Sequence, residues 1–255
     1  MIGLATWHQG RCGSSVLGSL LNQHSQIQAQ NEIFSRYMPR RWGDQPVPSM
    51  QEVWADAVRQ AHKPVLNVEV KCLSAQNFAL YATARFSDWL QAAADQGFER
   101  HLLIHRRNGL RRLVSHLMAQ RSGVYVQPHD AQPHELSDRQ LTIDLEAIRE
   151  GVETHSLLGW LECYDHTHQQ VRDELRQWCS EKQQPPPLEL IYEEVIEPSP
   201  QLAYGKICAA LELDPEPVTV RFRRINPEPL PQLIRNWAEI NALLAPTRFA
   251  WMLAA

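Results

Sequence analysis

The stretch GRCGSSVLGSLLN, Gly10 to Asn22, follows the short apolar run IGLATW that opens the chain. Apolar residues, then two glycines within four positions, then serines leading into a leucine-rich segment, spell strand, tight turn and helix. Gly10 and Gly13 allow a sharp backbone turn, and Ser14 and Ser15 begin the helix. The first-turn N–H groups of such a helix have no intrahelical acceptor and, with the helix dipole, make an anion cradle. Arg11 adds a planar fork suited to phosphate or sulfonate oxygens.

Several anion-turn chemistries are excluded by the residues themselves. The Gly-Lys-Ser/Thr of a nucleoside triphosphate loop is missing, since Ser14 stands where its lysine would. Cys12 has Gly18, not arginine, six residues on, which removes a phosphatase nucleophile. No Gly-x-Ser-x-Gly elbow is present here either.

Working outward, three further apolar runs have strand length and composition: Val65–Val70, His101–His105 and Leu188–Tyr192, beside Ile2–Trp7. Helical patterns separate them. Ser49-Met-Gln-Glu52 is a capping box opening a helix to about His62. A second helix is expected over Ala75–Gln96, stopping at Gly97, and a third from Gly109 to about Arg121. Residues Val124–Thr142 read as a loop, Asp144–Lys182 as helical, and Pro185–Pro187 as the stop before the last strand. Strand–helix alternation of this kind means an α/β three-layer sandwich with a central parallel β-sheet. The 255 residues show no repeat and no boundary, so a single domain over 1–255 is expected.

Hydrophobic content of 44% with 21% charged residues is that of a globular protein, and the net charge of −4 argues against a nucleic-acid binder. No apolar run reaches membrane-spanning length, and Met1 leads almost directly into the first strand, so a cytoplasmic protein is expected. Five cysteines without a Cys-x-x-Cys spacing indicate reduced, mostly buried thiols rather than a disulfide framework or zinc site.

The third strand, HLLIH, runs into Arg106-Arg107-Asn108, where a magnesium-dependent nucleotide enzyme would be expected to deliver an aspartate. Ser115 stands eight residues after Arg107, a spacing that lets it return to the same phosphate. A second phosphate site neutralised by guanidinium, with no metal required, fits a nucleotide carrying a separate 3′-phosphate. Arg111 and Arg112 read as a basic helix end on the surface.

On these residues the chain resembles sulfotransferases that use 3′-phosphoadenosine 5′-phosphosulfate (PAPS, leaving the product PAP), closest in style to bacterial glycan and lipopolysaccharide members. GRCGSS resembles their P-loop-like 5′-phosphosulfate turn, RRNGLRRLVS their 3′-phosphate element, and LIYEEVIEPSPQLAYGKICAALEL their Tyr-Glu-Asp segment and the helix after it. Gly109 replaces the usual proline and Arg111 a common aspartate. The resemblance implies that Arg11, Gly13, Ser14 and Ser15, with Cys12 in the same turn, hold the 5′-phosphosulfate. Arg107 and Ser115 would hold the 3′-phosphate, Tyr192 would approach the adenine or its neighbouring phosphate, and Arg224 or Arg235 of the basic tail would close over the nucleotide. It also implies Glu32 as general base, with partial burial beside Ile33 and Phe34 raising its basicity, and Lys71 as the cation meeting the bridging oxygen; His8 ranks below Glu32 for the same proton.

The expected partner is a hydroxyl-bearing acceptor, a glycan, glycolipid or small molecule. The aromatic and basic run Arg36–Pro48, with Tyr37, Arg40, Arg41 and Trp42, and the loop Val124–Asp138 are its expected walls. Two rival functions share the turn: a P-loop small-molecule kinase, and a non-catalytic adenine-nucleotide-binding module.

Overall fold

The computed structural model describes residues 1–73, 76–130, 140–150 and 153–254. In chain order the elements are β1 (Ile2–His8), α1 (Ser14–Leu21), β2 (Ile27–Gln30), α2 (Met50–Arg59), β3 (Val65–Lys71), α3 (Phe86–Ala94), β4 (Phe98–His105) and α4 (Gly109–Ser122). They continue with β5 (Ile148–Glu150), β6 (Glu153–His155), α5 (Leu157–Glu181), β7 (Leu188–Ile191), α6 (Pro200–Ala210), α7 (Leu230–Leu233) and α8 (Trp237–Leu244). The chain forms two compact units, one of Met1–His105 with Thr167–Val220, the other of Arg106–His166 with Arg221–Ala255.

The first unit is built on a five-stranded sheet of order β2-β3-β1-β4-β7, every neighbouring pair parallel. Period-2 alternation sends successive side chains to opposite faces, and both faces carry apolar residues. Ala5, Trp7, Leu66, Val68, Val70 and Leu103 pack with α2, α3 and the later part of α5, through Trp54, Trp89 and Leu175. Leu4, Val65, Leu102 and Ile104 pack instead with α1 and α6, through Leu17, Leu20 and Ile207. Helices on both faces of a parallel sheet are the three-layer α/β arrangement. In the second unit, α4, the start of α5, α7 and α8 bury Leu110, Leu113, Trp160, Leu233 and Ile240 together, and β5 and β6 pair antiparallel.

Several local expectations meet a different structure. The strand β2 was invisible because its sequence, IQAQ, alternates with glutamines; these are satisfied in place, Gln28 Nε2 donating to the Gln60 carbonyl and Gln30 Nε2 to that of Ala57. The capping box at Ser49 and Glu52 forms, but its helix ends at Arg59, and the His62 amide turns back to Gln28 Oε1. Of the helix expected over Ala75–Gln96, Ala75 lies outside the described residues, Asn77–Tyr81 is a 3₁₀ turn and α3 follows; Gly97, as expected, takes a positive φ of 82° after it. Between Asp144 and α5 lies the β5–β6 pairing rather than helix. Gly3 on β1 leaves room for its neighbour strand: a Cβ there would meet the Gly97 carbonyl oxygen at 2.6 Å and Phe98 Cα at 2.8 Å. Gly3→Ala should therefore destabilise the protein by about 1–3 kcal/mol, read as a lower urea midpoint; an unchanged midpoint would show that β1 and β4 can separate freely.

Candidate functional site

The turn after β1 takes an unusual backbone course. Gly10, Arg11 and Gly13 have φ of 76°, 56° and 86°, so three of four successive residues lie in the left-handed region. Glycine enters it freely, but arginine does so at a cost, and such outliers persist only where the surroundings enforce them. Gly13 is also closely held: a Cβ there would meet Ile196 Cγ2 at 2.6 Å and the Tyr192 ring at 3.4 Å. Gly13 is the N-cap of α1, with Cys12 and Ser14 buried and Arg11 and Ser15 half-buried. The first-turn amides of α1, the two serine hydroxyls and one guanidinium form a donor set that fits the oxygens of a phosphate or sulfonate.

Beside this turn stands a carboxylate–ammonium pair. In the β1–β3 register His8 lies opposite Lys71, so both strands end level, and a Cβ on Gly10 would come within 3.8 Å of Lys71 Cε. Lys71 Nζ is 2.8 Å from Glu32 Oε1, and both side chains are about a quarter exposed, at 25% and 29%. Glu32 lies just past the end of β2 with φ 46°, another non-glycine in the left-handed region. A ring of hydrogen bonds fixes the pair. Ser35 Oγ donates to Glu32 Oε2 at 2.7 Å, Asn77 Nδ2 donates to Ser35 Oγ at 3.4 Å, and Asn77 Oδ1 accepts from the Lys71 backbone amide at 2.7 Å.

This arrangement corrects one expectation about Glu32. Burial does push its pKa upward, but Lys71, by charge and hydrogen bond, and Ser35 outweigh it, so the pKa lies below the usual carboxylate value. Glu32 is held ionised with a proton site available, rather than made strongly basic by burial. Ser35 and Asn77 were not singled out in the sequence. Ser35, three residues after Glu32, offered a faint signal; Asn77, inside a stretch that read as helix, offered none.

Behind the turn are two fully enclosed polar groups. His8 and Glu69 are 1% and 2% exposed, with His8 Nε2 3.5 Å from Glu69 Oε2. His8 Nδ1 accepts from the Gly10 amide at 3.0 Å. Burial disfavours a charge on the His8 ring, while Cys12 and then Glu69 draw its pKa upward. The Gly10 amide, donating to Nδ1, requires a lone pair there. The hydrogen-bond geometry is that of the neutral imidazole protonated on Nε2.

The remaining residues belong to other positions. Tyr192, buried, begins a π-helical turn after β7 and lies against Gly13, in the first unit. In the second unit Arg107 is exposed just before α4, and Ser115 is half-buried in the second turn of that helix. Asn108 caps α4, its Oδ1 accepting from the Arg111 amide and its Nδ2 donating to the Met252 carbonyl. Arg111 Nη1 donates to the Glu228 carbonyl. Arg112 is not a surface cation as its sequence suggested: it is 0% exposed, with its guanidinium 5.3 Å from the Trp160 ring centre and 5.6 Å from that of Tyr164. Arg224 and Arg235 are both exposed, and the Arg235 amide donates to the Leu141 carbonyl. Gln127–His129 pairs with Arg221–Arg223 through two backbone hydrogen bonds, joining parts of an expected acceptor wall and of the basic tail. The rest of that wall, residues 131–138, lies outside the described residues, as do the side chains of Arg41 and Trp42.

Two guanidinium groups lie near the Tyr37 ring, those of Arg36 and Arg40 at 4.8 and 5.1 Å from its centre, and Arg36 also pairs with Asp56. All five cysteines are free and only Cys163 is exposed. Among the described residues no group of three or more His, Cys, Asp or Glu could hold a metal ion, and no helix is long and apolar enough to cross a membrane.

No protein-family model and no curated protein matches the chain. Among solved structures, that of a sulfotransferase from Alicyclobacillus acidocaldarius is similar, with 13% identity and a TM-score of 0.49, the match covering 99% of this chain and 94% of that one.

The Glu32–Lys71 pair gives a signed expectation. Lys71→Met removes the ammonium and leaves burial as the main influence, so the Glu32 pKa should rise, measured by carboxyl-carbon NMR titration. A depressed folded-state pKa stabilises the wild type above the unfolded value near 4.5, and that contribution is lost as pH falls through the folded value. The variant should therefore lose less stability on acidification; an unmoved Glu32 titration would contradict the pairing.

Proposed function

We propose that this protein is a PAPS-dependent sulfotransferase that moves the sulfuryl group to a hydroxyl of a glycan or glycolipid, in the manner of the bacterial glycan branch, with the whole chain, 1–255, acting as one domain in the cytoplasm. The observation that carries this reading is the Glu32–Lys71 pair at 2.8 Å beside the left-handed turn at Gly10–Gly13. An anion cradle, a fixed cation and an ionised carboxylate at one sheet edge are the parts that in-line sulfuryl transfer asks of a protein.

The donor supplies an activated sulfuryl group when bound. Arg11, Ser14, Ser15 and the first-turn amides of α1 hold its 5′ anionic end, with Cys12 and Gly13 shaping the turn and Tyr192 alongside. Arg107 and Ser115, with Arg224 or Arg235, are the groups that the sequence resemblance offers for the 3′-phosphate. Lys71 neutralises charge developing on the departing oxygen. As its ammonium turns toward that oxygen, its hold on Glu32 weakens and the carboxylate gains basicity as it takes the acceptor's proton. On this reading guanidinium and ammonium groups neutralise the charge, and no metal is required. Tyr37 with Arg36 and Arg40, a few residues after Glu32, suits a sugar that carries negative charge.

Incubation with radiolabelled PAPS and a panel of glycan, glycolipid and phenolic acceptors tests the reading by label transfer. Glu32→Gln should cut turnover by roughly 10²–10⁴-fold while PAP affinity stays within a few-fold of wild type. Wild-type turnover in that variant would remove Glu32 as the base.

A further inference from the structure

We propose that Glu69 and His8 are positioning residues, a buried carboxylate–imidazole pair that holds the turn at Gly10–Gly13 in its anion-binding course. The proposal rests on the sulfuryl-transfer reading for what the turn binds, and on geometry for how the turn is held.

His8 is the last residue of β1, and Thr6 lies opposite Glu69 in the β1–β3 register. By period 2, Leu4, Thr6 and His8 share the sheet face on which Leu4 packs with α1. Glu69 is on that face too, because a Cβ on Gly18 of α1 would meet its Oε1 at 2.9 Å. Gly18 thus leaves the room that the carboxylate occupies. A buried carboxylate and a buried imidazole are costly unless each serves the other. Here the imidazole presents Nε2 to Glu69 at 3.5 Å and uses Nδ1 to accept the Gly10 amide at 3.0 Å. Glu69 is close enough to favour a proton on Nε2 by charge, without a hydrogen bond between them, and that leaves a lone pair on Nδ1 for Gly10. The pinned residue is the one before Arg11, whose φ of 56° must be enforced from outside. The anchor therefore acts where the backbone resists most. Cys12, in the turn, and Glu32, after β2, are further titratable groups that would respond to a charge on His8, so the ring's protonation state is the quantity to measure directly.

Nitrogen-15 NMR of the His8 ring in the full-length wild-type protein at pH 7 should show a neutral imidazole protonated on Nε2. A ring protonated on both nitrogens, or on Nδ1 alone, overturns the proposal. Variants give the functional arm. His8→Asn keeps an acceptor where Nδ1 stands, and PAP affinity by calorimetry should stay within about threefold of wild type. His8→Gln places its acceptor near Nε2 and leaves Gly10 unpaired, so affinity should fall by about tenfold. Glu69→Gln keeps a carbonyl for the Nε2 proton and should be rescued, whereas Glu69→Leu should not. Equal affinity in His8→Asn and His8→Gln overturns the proposal. Should the variants fail to fold, the wild-type ring measurement still decides it. A wild type that binds no PAP would overturn the sulfuryl-transfer reading, while the ring nitrogens still report on the pair.

Discussion

The parallel pairing of β1 with β3 is the constraint on which the candidate site depends. It brings His8 level with Lys71, so the turn that follows one strand and the cation that ends the other meet at the same sheet edge. The pairing of β2 with β3 does the same for Glu32, carried just past the end of the outer strand. In open α/β sheets this carboxyl edge is where ligands bind, because helix N-termini and strand-end side chains converge there. The order β2-β3-β1-β4-β7 sets β1 in the middle of the sheet, with both faces covered. A turn that includes a left-handed arginine needs such a rigid support.

Electrostatics at this edge favours readiness over intrinsic basicity. A carboxylate alone in a half-buried position would drift toward protonation, and its partner ammonium prevents that. The Ser35–Asn77 hydrogen bond links the residues just after Glu32 to the 3₁₀ turn Asn77–Tyr81, so two otherwise irregular stretches gain a defined spacing. Irregular backbone here has a function: it carries the groups that orient the charges. The same economy applies behind the turn, where the groups that hold the backbone are themselves enclosed and serve each other.

Much of the fold could be read from the sequence, and the reasons are local. Ile2–Trp7, Val65–Val70 and Leu188–Tyr192 are short apolar runs between turn signals, which is how strands buried on both faces look. Gly10 and Gly13 marked a turn because only particular residues tolerate that backbone. What escaped detection depended on tertiary partners. The strand IQAQ is recognisable only once α2 supplies carbonyls for its glutamines. Arg112 looked like a surface charge because nothing in RRNGLRRLVS reveals that Trp160 and Tyr164 enclose it. The depressed pKa of Glu32 needed Lys71 at 2.8 Å, a contact between residues thirty-nine positions apart in the chain.

The central claim is that a backbone turn, supported by the sheet and supplemented by guanidinium and ammonium groups, grips an adenosine ester with two anionic ends. Titration calorimetry of the wild-type protein with 3′,5′-bisphosphoadenosine, in the presence of a chelator, tests it most directly. The account predicts saturable heat at one nucleotide per chain, with adenosine 5′-monophosphate binding more weakly for want of the second phosphate. Absence of heat, or heat seen only with magnesium and ATP, would contradict it.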